Sequence, residues 1–153
     1  MRAYFDTSCI AKCYVHEAGS DAVRRIAAAA PSLHCSALGR VELVSMLGRA
    51  CRDRRITRRT FRTVMEQYTG DDRHLIWHWI AVSPAIIEDA CLRLADIGSD
   101  VPLSGADAIH LSTARLGGFG EVWSTDRRLL AAAPHFGLEG RDRSPGALGR
   151  LGV

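Results

Sequence analysis

The sequence predicts an α/β fold, with a central, mostly parallel sheet covered by helices on both faces. Three observations carry that expectation. Short apolar runs of strand length alternate with helical patterns along the whole 153 residues. Two of those runs end in a carboxylate just before a helix, at Asp6 and at Asp126. Ligand sites of parallel sheets form at that carboxyl edge. The helical segment 106–114 is also short of large polar side chains, which suits a helix covered on most sides.

The first strand is the run Tyr4-Phe5, ending in Asp6. Thr7 and Ser8 follow, and apolar residues then recur at helical spacing at Ile10, Cys13 and Tyr14, toward a stop near Gly19. Asp6 on the turn has two readings, a helix N-cap or an acid at a ligand site. Ser20 stands as the N-cap of a second helix, residues 21–30, with Asp21 suited to the dipole and Pro31 beyond the end. A short strand is expected at residues 33–36. Residues 37–52 form a long helix, with Leu38, Val41, Val44, Leu47 and Cys51 three and four apart. Glu42 interrupts that surface. A lone acid there lies at the edge of the exposed face or beside a buried cation.

Thr57 opens the next helix, with Phe61, Val64, Met65 and Tyr68 inward and most of its arginines outward. Gly70-Asp71-Asp72 is expected to break it. Within residues 75–82 the strand is placed at 79–82, because Ser83-Pro84 can start a helix directly. That helix covers residues 84–96 and stops at Gly98. After a loop to Leu103, Ser104 or Gly105 opens the helix that ends at Gly117-Gly118. Asp107 in its first turn complements the dipole, and His110, one turn on, is a candidate hydrogen-bond partner for it. A strand over 121–125 leads to Asp126, followed by a short helix, 127–133, that Pro134 stops. A last strand is expected near 136–140. Residues 1–140 are therefore expected to be one domain, and residues 141–153, rich in Gly, Arg and Pro, a flexible tail.

The totals exclude several classes. A chain with 47% hydrophobic and 24% charged residues is globular in composition. No stretch is long and apolar enough to span a bilayer, and the N-terminus lacks the apolar run of a secretory signal. A cytoplasmic protein without a membrane partner is expected. Cys9, Cys13, Cys35, Cys51 and Cys91 are odd in number and show no C-x-x-C spacing, which suits free thiols and not a zinc site. The net charge of +3 is carried by arginine, Lys12 being the only lysine, and seven arginines fall between Arg49 and Arg62. Such a run serves phosphate or carboxylate recognition, or is simply a solvated helix face.

Taken together, the acids fit an arrangement that needs a cation. Carboxylates gathered in one pocket repel one another, and protonation or a metal relieves the cost. Mg²⁺ and Mn²⁺ prefer oxygen ligands and serve phosphoryl chemistry. In chain order, the motifs Tyr-Phe-Asp6-Thr-Ser, Ser36-Ala-Leu-Gly-Arg-Val-Glu42-Leu, Ala106-Asp107-Ala-Ile-His-Leu and Ser124-Thr-Asp126-Arg-Arg-Leu resemble those of the PIN-domain nucleases. Length and single-domain layout resemble the VapC-type toxins of bacterial toxin–antitoxin pairs. The resemblance covers about residues 2–138.

The resemblance implies a three-layer sandwich around a central parallel sheet, with the acids meeting in one groove. It implies an Mg²⁺- or Mn²⁺-dependent endoribonuclease in which Asp6, Glu42, Asp107 and Asp126 are the catalytic, metal-holding acids. Ser124 and Ser8 map to supporting positions. A metal-activated water would attack the scissile phosphate in line, leaving a 5′-phosphate and a 3′-hydroxyl. A growth-inhibiting toxin, a cognate antitoxin covering the groove, and a homodimer or larger assembly are implied as well. On that footing Arg49, Arg52, Arg54, Arg55 and Arg58 are candidates for contact with RNA or antitoxin.

Two rival classes remain. A catalytically silent module would use the same groove to hold RNA or a protein. Another Mg²⁺-dependent phosphoryl-transfer domain is less well matched. A receiver domain usually has adjacent acids after the first strand and a late lysine, whereas Asp6 has no acidic neighbour and the only lysine is Lys12. A dehalogenase-like phosphatase has Asp-x-Asp there, and Ser8 stands in the second position.

Overall fold

The computed structural model describes residues 2–142. Among these residues lie five short strands: β1 (Ala3–Tyr4), β2 (Leu33–Ser36), β3 (Trp77–Ile80), β4 (Glu121–Trp123) and β5 (Glu139–Arg141). Pairing is parallel throughout, β1 with β2, β2 with β3, and β4 with β5. A bridge between Phe5 and Trp123 joins the two groups, reinforced by the Asp6 N–H donating to the Trp123 carbonyl at 3.0 Å. The strands therefore lie in the order β3-β2-β1-β4-β5. The chain winds outward from β1 in one direction, and β4 takes it to the other side, so the topological switch point falls between β1 and β4.

Helices fill both faces. They are α1 (Thr7–Tyr14), α2 (Ser20–Ala29), α3 (Leu38–Arg52), α4 (Arg58–Arg73), α5 (Pro84–Asp96), α6 (Gly105–Leu116) and α7 (Arg127–Ala132), with a 3₁₀ turn at Ala133–Phe136. Successive strand residues point to opposite faces, and Tyr4 and Phe5 show the result. Phe5 joins Ile10, Leu43, Leu47 and Trp77 in one core, while Tyr4 joins Leu111, Val122, Leu129 and Phe136 in the other. Two cores on one sheet are the three-layer α/β sandwich expected from the sequence.

Most helix starts follow local chemistry. Thr57 and Ser83 accept the N–H groups of Thr60 and Ile86, and Pro84 opens α5 where a missing N–H costs nothing. Other elements depart from expectation, each for a tertiary reason. α1 stops at Tyr14, and Gly19, at φ 85°, turns the chain into α2. Ser20 is the first residue of α2 and not its cap: its hydroxyl donates to the Val15 carbonyl and accepts the Glu17 N–H. α4 runs on through Gly70. Asp71 accepts the Tyr14 hydroxyl, and Asp72 accepts the Trp79 indole N–H at 2.6 Å and Arg40 at 2.7 Å. The residues expected to break the helix instead dock its last turn.

β3 lies two residues earlier than expected, because Trp77 is buried and its indole donates to Tyr14 at 2.7 Å. The buried face of α3 is Gly39, Leu43, Leu47 and Ala50, so Val41, expected inside, is 70% exposed. Gly39 sets that rotation: a Cβ there would stand 2.6 Å from the Cys35 sulfur, so only glycine lets α3 lie this close to β2. All five cysteines are free. The boundary expected at residue 140/141 falls within β5, where Arg141 pairs with Glu121 and Glu139. Of the expected tail, residues 143–153 lie outside the described residues. No helix among the described residues is long and apolar enough to cross a membrane.

Candidate active site

Asp6 leaves the carboxyl end of β1 at the switch point, and it is 5% exposed. Its Oδ1 accepts the Ser8 hydroxyl at 2.7 Å and the Cys9 N–H at 3.1 Å, so the N-cap reading holds. Its Oδ2 accepts the Ser124 hydroxyl at 2.7 Å from the end of β4. Burial pushes the Asp6 carboxyl above its ordinary value, and the bonds from Ser124 and Ser8, the charge of His110 and the Cys9 N–H offset only part of that. Ser124 has a second task. Its oxygen accepts the Asp126 N–H at 2.9 Å, so one hydroxyl ties both strand-end acids together. Ser8 likewise accepts the Thr125 N–H, at 2.9 Å.

Asp126 caps α7, its Oδ1 accepting the Arg128 N–H at 2.8 Å. Asp107 shares a reciprocal capping box with Ser104, whose hydroxyl donates to Asp107 Oδ2 at 2.7 Å. Glu42 lies early in α3, half-buried. Its Oε2 accepts the Thr7 hydroxyl at 2.5 Å and the His110 Nε2–H at 2.7 Å. Burial pushes the Glu42 carboxyl up, but the bond and charge of His110 and the bond from Thr7 outweigh it, leaving the pKa below the ordinary value.

The tautomer of His110 follows from its other neighbour. The Tyr4 hydroxyl accepts the Ser36 N–H at 3.1 Å, which frees its own proton for His110 Nδ1 at 3.3 Å. In the neutral ring, Nε2 then carries the proton that Glu42 accepts. His110 is thus the partner of Glu42 and not, as expected from spacing, of Asp107. α6 aims the ring inward, across to α3.

Asp6, Glu42, Asp107 and Asp126 all line one open pocket of about 370 Å³, together with Thr7, Ser8, His110 and Arg49. Thr7 is not among the residues expected at the site, and His110 is expected there only as a partner of Asp107. The candidate arginines divide. Arg49 lines the acid pocket, Arg52, Arg54 and Arg58 surround a separate cavity, and Arg55 pairs loosely with Asp53 at 3.7 Å.

The donor set suits a hard divalent cation, since it is built of carboxylate and hydroxyl oxygen. Three acids use one carboxylate oxygen for bracing. Among the described residues their hydrogen bonds fall on Glu42 Oε2, Asp107 Oδ2 and Asp126 Oδ1, which leaves the second oxygen of each for a ligand. Among the described residues, no three His, Cys, Asp or Glu side chains are gathered closely enough to hold a metal ion.

Residues 3–134 match the family model of the PIN domain. The chain belongs to the PIN-domain family. No curated protein shows a significant sequence match to it. Among solved structures, VapC20 of Mycobacterium tuberculosis, a sarcin-ricin-loop-cleaving toxin, is similar to this PIN domain. Its TM-score is 0.66 at 20% identity, over 85% of this chain and 94% of that one. VapBC2 of Rickettsia felis, bound to a promoter DNA fragment, also has a TM-score of 0.66, at 10% identity over 93% and 98% of the two chains. A toxin–antitoxin complex of Klebsiella pneumoniae has a TM-score of 0.54 at 19% identity, over 87% and 93%. At these identities the likeness is one of fold: this PIN domain has the architecture of the VapC-type toxins.

Proposed function

We propose that this PIN domain is a metal-dependent endoribonuclease, the growth-inhibiting toxin of a toxin–antitoxin pair. The observation that carries this reading is the meeting of Asp6, Glu42, Asp107 and Asp126 in one pocket. They come from four separate elements, and two of them flank the switch point. The free oxygens of Glu42, Asp107 and Asp126, with Asp6, would hold Mg²⁺ or Mn²⁺. Such an ion supplies charge neutralisation and the Lewis acidity that phosphodiester hydrolysis requires.

The protein's own part is placement. Ser8, Ser124 and the Cys9 N–H fix both oxygens of Asp6, so its carboxylate cannot turn away. Thr7 and His110 hold one oxygen of Glu42 and present the other. Arg49, on the pocket wall, can pair with a phosphate that the acids alone would repel. The toxin–antitoxin complexes among the structural neighbours support an antitoxin partner. We extend the reading to a cytoplasmic homodimer whose antitoxin covers the acid pocket.

Asp107→Asn tests the assignment, because asparagine can still take part in the capping box. In an RNA cleavage assay with Mg²⁺, the variant is expected to lose more than about 100-fold, beyond the loss usual for a supporting residue. Its melting temperature should stay close to wild type. Undiminished cleavage would sink the four-acid site. A wild-type chain that binds RNA and never cuts it would favour the silent binding module.

A further inference from the structure

Past Arg49, α3 runs from the acid pocket to a second and larger cavity. This cavity, about 870 Å³, lies between the end of α3, the following turn and the first turns of α4. Ile56, Phe61 and Met65, each partly buried, give it an apolar floor. Arg52, Arg54, Arg58 and Arg62 stand exposed around it. Among the described residues, none of these four makes an ion pair or a side-chain hydrogen bond. Four unpaired guanidinium groups around one apolar hollow repel one another and are complementary to an anionic ligand.

Arg54 strengthens the case. Its φ of 57° lies in the left-handed region, at a helix C-terminus where glycine is the usual residue. The Arg55 N–H donating to the Ala50 carbonyl at 2.9 Å holds the turn in that shape. A guanidinium therefore stands at this rim although glycine would fit the backbone without strain.

We propose that this cavity is a subsite for a nucleotide of the single-stranded RNA whose cleavage is proposed above, and the inference rests on that reading. The base stacks on Phe61, and the phosphates on either side meet Arg52, Arg54, Arg58 and Arg62. Aromatic faces beside arginines are how single strands are held without a fixed sequence. Continuity with the acid pocket favours this occupant over an acidic protein. Glu42 and Arg52 are ten residues apart on α3, about 15 Å along its axis. Arg49 and Arg52, neighbours across one turn, join the two pockets by a positive track. Acids repel a polyanion, so affinity for the strand must come from outside their pocket.

The test measures binding of a labelled single-stranded RNA to the full chain in EDTA, by fluorescence anisotropy across a salt series. Arg54→Gly is expected to bind about five- to tenfold more weakly, with the slope of log K against log salt reduced by about 0.7. It should fold at least as well, because glycine relieves the backbone. Phe61→Ala is expected to lose about tenfold, and not on an abasic backbone of equal charge. Wild-type RNA binding in both variants overturns the subsite. So does a loss confined to binding of polyglutamate, which would give the cavity to an acidic protein. Cleavage by wild type with Mg²⁺ separates the two readings. A chain that cuts RNA with the KM of Arg54→Gly unchanged overturns the subsite alone. A chain that never cuts, yet binds RNA through Arg54 and Phe61, overturns the nuclease and keeps the subsite.

Discussion

The acid pocket and the arginine cavity share α3 and treat charge in opposite ways. Asp6 accepts three hydrogen bonds and Glu42 two, and Asp107 and Asp126 are each tied to a helix start. Around the cavity, Arg52, Arg54, Arg58 and Arg62 are unpaired among the described residues. The difference follows from what each charge must do. Groups that act on a reacting phosphate must be held within a fraction of an ångström by their neighbours. Groups that receive a flexible polyanion work through net attraction and lose little by moving. Removing a brace on the acid side should therefore cost stability and chemistry together, whereas removing an arginine should cost neither folding nor packing.

The largest effect on stability is expected from His110→Ala. That change deletes the donor to Glu42 and the acceptor of the Tyr4 proton, and leaves a hole beneath α6. A loss of about 2–4 kcal/mol is expected in urea unfolding, from the cavity and the unpaired buried groups. Cleavage should fall about 10- to 100-fold, as for loss of a group that orients a metal-holding acid. His110→Gln, which keeps an N–H near Glu42, should recover part of the activity. Full activity in a destabilised His110→Ala would separate bracing from chemistry and break the comparison.

Ser124→Ala comes next, with about 1–3 kcal/mol at stake. It removes the donor to Asp6 Oδ2 and the acceptor of the Asp126 N–H in one step. Because Ser124 contributes most among the groups that lower the Asp6 pKa, its loss should push that carboxyl further up, readable by NMR titration. An unchanged titration of Asp6 would mean that the hydroxyl does not hold it.

The two regions also differ in how far sequence reveals them. Asp6 and Asp126 are visible because a strand, an acid and a helix start adjoin in the chain, and Asp107 because its cap partner Ser104 is three residues away. Glu42 gives less away, since its partner His110 is 68 residues distant and nothing local signals the pairing. Spacing on α6 suggests Asp107 for that histidine, and only the packing of α6 against the sheet redirects it. The arginine run is plain as charge, yet its cavity exists only where α3 and α4 meet. The same limit applies to the fold. Local caps mark α5 and α6 well, while α4 passes through Gly70 because the distant Tyr14, Arg40 and Trp79 hold its last turn.

Within the acid pocket, pH should distinguish two kinds of bracing. Asp6 titrates above its ordinary 3.8 because burial outweighs its hydrogen bonds. The unfolded chain then gives up that proton first, so stability falls as pH rises from 3.8 through the folded value. Glu42 titrates below its ordinary 4.5, and its contribution is present above 4.5 and lost as pH falls through the folded value. Asp6→Asn should remove a decline from the stability–pH curve, and Glu42→Gln should remove a rise. Urea unfolding between pH 3 and pH 7 would show it, and parallel curves for both variants would refute opposite bracing.

The smallest effect sharpens the comparison from the other side. Arg52→Ala, Arg58→Ala and Arg62→Ala each remove an exposed charge with no partner among the described residues. Each should change stability by less than about 0.5 kcal/mol near physiological salt. At low salt the triple variant should become slightly more stable than wild type, because unscreened repulsion among like charges is relieved. Its RNA affinity should fall most under those same low-salt conditions, since fewer counterions are released on binding. Stability and affinity thus move in opposite directions as salt is lowered. A triple variant that unfolds more easily in dilute buffer would show that the arginines are structural, and the contrast with the acids would fail there.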